Sequence, residues 1–147
     1  MLLVLFACGF LVVGTTLLHY EVLRFLNTGL FALRIPDRTK ILVVILATFL
    51  AHAAEIALYG LTIYELVSTL GAGDLSGTTA FSLATCLYFS AETYTSLGFG
   101  DLTPTGPVRL LAGVEALNGL LLIGWSASFT YISMERFWVR KPEVPAG

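Results

Sequence analysis

The sequence predicts an all-α membrane protein with three transmembrane helices and one shorter re-entrant helix that leads into a glycine-bearing loop. Composition is the first reason: 56 % of the 147 residues are apolar, 12 % are charged, and the mean hydropathy is +0.85. Soluble domains carry about 25 % charged residues, so a water-exposed surface for a chain of this size has no source. Span length is the second reason. Residues 1–18, 41–67 and 108–136 each approach or exceed the about 20 apolar residues that cross a bilayer, whereas residues 79–95 fall short and end in glycines, which suits a re-entrant segment.

Taken in order, residues 1–18 lack the positively charged n-region of a cleaved leader and are read as a retained span. Its expected place is the periphery, outside the 41–67 helix. Residues 19–40 mix Leu23, Phe25, Leu26, Leu30, Phe31 and Leu33 with Arg24, Asn27 and Arg34, and end at Pro36-Asp37; this pattern predicts an interfacial amphipathic helix. Residues 70–78 are glycine-rich and read as a loop, and the tail after Arg140, with Pro142 and Pro145, reads as disordered. Cys8 and Cys86 are expected to be small buried thiols, not a disulfide.

Charge placement orients the chain. Arg24, Arg34, Arg38 and Lys40 precede the second span and Arg136, Arg140 and Lys141 follow the last, while no Lys or Arg lies from Ile41 to Val108. The positive-inside rule puts the first linker and the C-terminus in the cytoplasm and the N-terminus and glycine loop outside. Asp74 and Asp101 add acidic character to that outer face, which concentrates cations. With a net charge of −2 and no basic patch outside the membrane flanks, nothing points to nucleic acid; the expected contacts are membrane lipid, monovalent cations and other copies of the chain.

The loop itself reads Thr95-Ser96-Leu97-Gly98-Phe99-Gly100-Asp101, with Gly98 and Gly100 alternating with Leu97 and Phe99. An ion leaves water only if a ring of carbonyls replaces its hydration shell, and glycines let a backbone turn successive carbonyls to one side. Residues 79–134 resemble the pore module of the tetrameric potassium channels. Tyr88 to Thr95 match the end of that family's pore helix, Ser96-Leu97-Gly98-Phe99-Gly100 stand where its usual string is Thr-Val-Gly-Tyr-Gly, and Asp101-Leu102-Thr103-Pro104 continue the pattern.

The resemblance implies a pore domain at 41–147: outer helix 41–67, pore helix 79–95, filter 96–100, inner helix 108–136 and a short tail. It also implies potassium as the permeant ion with no organic cofactor, a fourfold homotetramer because one chain supplies one strand of the filter, and, by analogy with compact channels, a bacterial inner membrane. Ser96 keeps the hydroxyl of threonine without its methyl, and Phe99 lacks the phenol that braces the usual filter, so a softer filter is expected. Glu92, Thr95 and Asp101 are candidate filter supports. Glu92 and Asp101, if close, would share a proton and make filter stability pH-dependent; the alternative is that Glu92 bonds backbone and Asp101 faces the vestibule.

Gly119 and Gly124 on the last span are candidate gate hinges, or sites of close helix packing. Intramembrane polar groups are costly and need partners, and His52, Glu55, Glu115 and Asn118 are such groups. At about 1.5 Å per residue His52 and Glu115 reach similar depths. His52 or Glu55 is therefore expected to meet Glu115 or the pore helix, bracing the filter's scaffold, with His52 also available as a proton sensor. His19 and His52 read as too isolated for a metal site. No span has arginine at every third position, which argues against an ordinary voltage sensor, and no hydrolytic or phosphate-binding arrangement marks an enzyme. Two alternatives to a potassium channel stay open: a weakly selective cation pore, and a non-conducting scaffold or regulatory subunit.

Overall fold

The computed structural model describes residues 1–32, 35–77 and 80–138. The element order is α1 (Leu2–Ala32), α2 (Asp37–Ser68), β1 (Asp74–Gly77), α3 (Leu83–Tyr94), β2 (Leu102–Thr105) and α4 (Val108–Trp138). The protein is an all-α membrane protein: α1, α2 and α4 are each long and apolar enough to cross a bilayer. The short α3 lies against both α2 and α4.

The expected interfacial helix at 19–40 is replaced by a continuation of the first span. No proline interrupts the chain before Pro36, and the helix carries through its glycines, so α1 runs on to Ala32 as one helix. Its 31 residues reach about 46 Å, well beyond a hydrocarbon core of about 30 Å. Leu23, Leu26 and Leu30 bury themselves with Val44, against Phe129 and Phe137. The apolar face that read as membrane-facing is a packing face. Leu33 and Arg34, the start of the expected 79–95 segment at Thr79, and the tail from Val139 onward lie outside the described residues.

The first span packs on the 41–67 helix and, beyond that expectation, on α4. It contacts α2 and α4 alike, running antiparallel to α2 and parallel to α4. Val4, Cys8 and Leu11 join Tyr59, Ile63 and Leu66 of α2, Cys86 and Phe89 of α3, and Leu111 of α4 in the main core. Cys8 and Cys86 are both free and buried. Thr15 deepens this seam: Asn118 Nδ2 on α4 donates to its hydroxyl at 2.8 Å and to the Tyr59 hydroxyl on α2 at 3.2 Å, so one amide ties three helices.

The 70–78 stretch is not wholly loop. Four of its residues pair antiparallel with Leu102–Thr105, Asp74 opposite Thr105 and Gly77 opposite Leu102. This ribbon ties the chain entering α3 to the chain leaving the glycine loop. Pro104, which lacks an amide donor, is tolerated because a two-stranded ribbon consists of edges.

Asn118→Ala leaves the Thr15 and Tyr59 hydroxyls without their shared donor in a water-poor core. A loss of about 1–2 kcal/mol is expected, read as a lower unfolding temperature by circular dichroism in detergent.

Candidate functional site

α3 starts on a side-chain cap. The Ser82 hydroxyl oxygen accepts from the Thr85 amide at 3.1 Å, and the Thr85 hydroxyl donates to the Ala80 carbonyl at 2.8 Å. Cys86, Phe89, Ser90, Glu92 and Tyr94 are its buried residues, so a helix of only 12 residues is held by packing more than by its own propensity. Gly60 on α2 and Gly119 on α4 let it approach. A Cβ on Gly60 would press on the Leu87 backbone, and one on Gly119 would overlap the Tyr94 carbonyl oxygen.

Beyond the helix end, Glu92 organises the loop. Its backbone carbonyl accepts from the Leu97 amide at 2.8 Å and the Gly98 amide at 3.3 Å, and its Oε2 accepts from the Phe99 amide at 3.1 Å. The Ser96 amide turns back to the Thr93 carbonyl at 2.9 Å. Four successive amides are thus directed to α3. The backbone alternates in hand: Ser96, Gly98 and Gly100 have φ of 56°, 54° and 81°, while Leu97 and Phe99 are not positive. Alternating left- and right-handed residues place successive peptide groups in register, so amides drawn to one side leave the carbonyls free toward the other. Ser96 holds a left-handed conformation that costs a non-glycine residue about 1–2 kcal/mol, and the amides on Glu92 offset that strain.

Glu92 and Asp101 take different partners. Glu92 bonds loop backbone, whereas Asp101 Oδ2 accepts from the Tyr88 hydroxyl at 3.1 Å and its Oδ1 is buried with no hydrogen bond among the described residues. Thr95, the other expected support, closes α3 by donating its hydroxyl to the Ala91 carbonyl at 2.7 Å. Tyr88, singled out only as part of a matching string, braces the loop: its ring stacks on Phe99 at 6.5 Å between centroids and 1° between planes. It supplies the phenol that Phe99 lacks. Desolvation, then the hydrogen bond to Asp101, raises the Tyr88 hydroxyl above the ordinary phenol value, so it stays a donor at neutral pH.

Behind α3, the intramembrane polar residues separate into two groups. Glu115 Oε1 lies 2.5 Å from the Ser90 hydroxyl, which also reaches the Ile56 carbonyl at 2.8 Å; Glu115 Oε2 has no hydrogen bond among the described residues. His52 and Glu55 do not meet Glu115 but do meet α3, since the Tyr94 hydroxyl donates to Glu55 Oε2 and lies 3.0 Å from His52 Nδ1. His19 is not isolated. Its Nδ1 lies 2.9 Å from Glu55 Oε1, and its ring lies 5.0 Å from that of His52. Nothing in a one-dimensional reading joins residue 19 to residues 52 and 55, because the contact exists only when α1 packs on α2; its one trace is a buried-type polar residue four positions after Thr15.

α4 runs unbroken through Gly119 and Gly124. Gly119 is a packing contact against Tyr94, while the space around Gly124 is open. Three long apolar helices, a short helix inserted between two of them and a loop with four successive amides turned to that helix define a membrane channel pore. The chain belongs to the ion channel family, whose sequence model matches residues 41–136. That segment takes in α2 through nearly all of α4 and leaves out α1. No curated protein and no solved structure shows significant similarity to the chain.

Two substitutions probe this geometry. Gly119→Ala forces its methyl into the Tyr94 carbonyl and is expected to cost about 1–3 kcal/mol of folding stability, seen in detergent unfolding. Glu92→Ala frees the Phe99 amide and removes the carboxylate while keeping the helix and the backbone carbonyl; faster hydrogen exchange at Phe99, with a smaller change at Leu97 and Gly98 and none in α4, is the expected result.

Proposed function

We propose that four copies of this chain surround a central axis and conduct potassium passively between Ser96 and Gly100. The observation that carries this reading is the alternating backbone of the loop with its amides drawn to Glu92, which leaves a row of carbonyls to replace water around a dehydrated cation. One chain offers only one such row, so a closed ring needs copies related by rotation. Leu97 and Phe99 are 59 % and 65 % exposed on the single chain, and Leu117, Leu120 and Leu121 expose a further apolar face on α4; neighbouring copies cover both.

In this assembly the C-terminal end of α3 turns its partial negative charge toward the axis and stabilises a cation below the ring. Asp74 and Asp101 lie at the loop end of the bundle and draw cations to the entrance. The positive-inside rule applied to the basic flanks supports an orientation with that end outside and the C-terminus in the cytoplasm, and analogy with compact channels supports a bacterial inner membrane. Tyr88 compensates for Phe99, which favours selection of potassium over sodium despite the unusual string.

The decisive test is the reversal potential of the purified protein in planar bilayers with potassium on one side and sodium on the other. A value near the potassium equilibrium potential is expected. A value near zero would replace this reading with a weakly selective cation pore, and silence with a scaffold. Gly98→Ala, which puts a methyl on a residue at φ 54°, is expected to shift the reversal potential toward zero or abolish current.

A further inference from the structure

The two histidines and Glu55 form a set that the channel reading does not use. One ring nitrogen from each of His19 and His52 and a carboxylate oxygen of Glu55 all lie within 4.8 Å of one another. The Nδ1 atoms face the carboxylate, at 2.9 Å for His19 on Oε1 and 3.0 Å for His52 on Oε2. At the far side of both rings a single atom, Ser126 Oγ on α4, lies 3.0 Å from each Nε2.

Counting protons shows what is missing. Two neutral imidazoles carry one N–H each and Ser126 carries one O–H, which is three protons for the four contacts to Glu55 and Ser126. The Tyr94 hydroxyl donates to Glu55 and also lies 3.0 Å from His52 Nδ1, so it supplies no proton to the contacts at Ser126. A cation bound by both Nδ1 lone pairs and the carboxylate removes the shortfall. Each ring then keeps its proton on Nε2, both Nε2–H groups donate to the two lone pairs of Ser126 Oγ, and Tyr94 donates to the ligating carboxylate. That is the outer shell a metal-bound histidine and carboxylate require.

We propose that His19, His52 and Glu55 bind one divalent transition-metal ion of the zinc class. Two imidazoles and a carboxylate are a zinc donor set, and imidazole nitrogen argues against potassium, magnesium or calcium, which prefer all-oxygen sites. Bonds of about 2.0–2.1 Å to a tetrahedral ion hold donors roughly 3.3 Å apart, a few tenths of an ångström beyond the two nitrogen–oxygen contacts, and the three donor atoms, all within 4.8 Å of one another, close on the ion by side-chain rotation. The ion would join α1, through His19, to α2, and through Glu55 and Tyr94 to the end of α3 directly behind the glycine loop. Its site lies partly outside the segment shared with the family, since His19 precedes residue 41.

The test uses the purified full-length channel in detergent, with any polyhistidine tag removed, stripped with a chelator and titrated with zinc. One zinc per chain is expected by mass spectrometry of the metal. His19→Gln/His52→Gln is expected to abolish binding, and Ser126→Ala to weaken it by about 10–100-fold while keeping the stoichiometry. Cobalt in wild-type protein should give the intense visible bands of four-coordinate nitrogen and oxygen ligation, a readout that needs no variant to fold. Wild-type protein that binds no more zinc than the double variant, or cobalt that shows only its six-coordinate aqueous spectrum, would overturn the site and leave an extra proton as the cluster's occupant. None of these readouts depends on current, so failure of the metal site and failure of the potassium reading are told apart.

Discussion

Glu92 is the residue on which the geometry of the loop depends. Three consecutive amides, from Leu97 to Phe99, end on its carbonyl and its carboxylate. A peptide group whose N–H is committed to one side has its C=O committed to the other. The alternating hand of Ser96 to Gly100 and the freedom of the loop carbonyls are therefore two aspects of one constraint. Most of the remaining fold can be understood as fixing Glu92 in place: the Ser82 cap, the close approaches at Gly60 and Gly119, and the Tyr88 link from α3 to Asp101.

Holding a 12-residue helix inside a membrane protein requires polar anchors, because apolar contact alone does not distinguish neighbouring helices from lipid. Ser90 and Tyr94 supply them on successive turns, one to Glu115 on α4 and one to Glu55 on α2. Of the buried polar residues of α1, His19 joins the Tyr94 anchor through Glu55, while Thr15 forms a separate cluster with Asn118 and Tyr59. A helix that adds to the minimal pore plan is thus wired to the end of α3. In a low-dielectric interior each such bond is hard to exchange for water, so the network specifies one packing.

Residue type and spacing made much of this legible. The glycine loop and its supports, Glu92 and Asp101, were visible because their chemistry is local in sequence. His52 and Glu55 announced themselves as polar groups inside a span, and the expected link to the 79–95 helix is the contact found through Tyr94. The partner of Glu115 was not legible, since Ser90 is an unremarkable hydroxyl until α3 is laid against α4. Tyr88 carried no signal either; its value arises from stacking on Phe99, eleven residues away along a chain that reverses direction.

The sequence by itself determined what must be buried in lipid, because a run of apolar residues has no other low-energy place, and marked Gly98 and Gly100 as places where the chain turns left-handed cheaply, whereas the left-handed Ser96 comes from the folded loop. It did not determine where α1 ends or what α1 touches. The face of Leu23, Leu26 and Leu30 suits an interface or a neighbouring helix equally, and only the presence of Val44 and Phe129 decides. It likewise could not bring His19 to His52 and Glu55, since residues 36 positions apart meet only through the packing of two helices that run in opposite directions. Hydrophobic patterning is a property of a segment; a cluster of side chains from four helices belongs to the assembled fold.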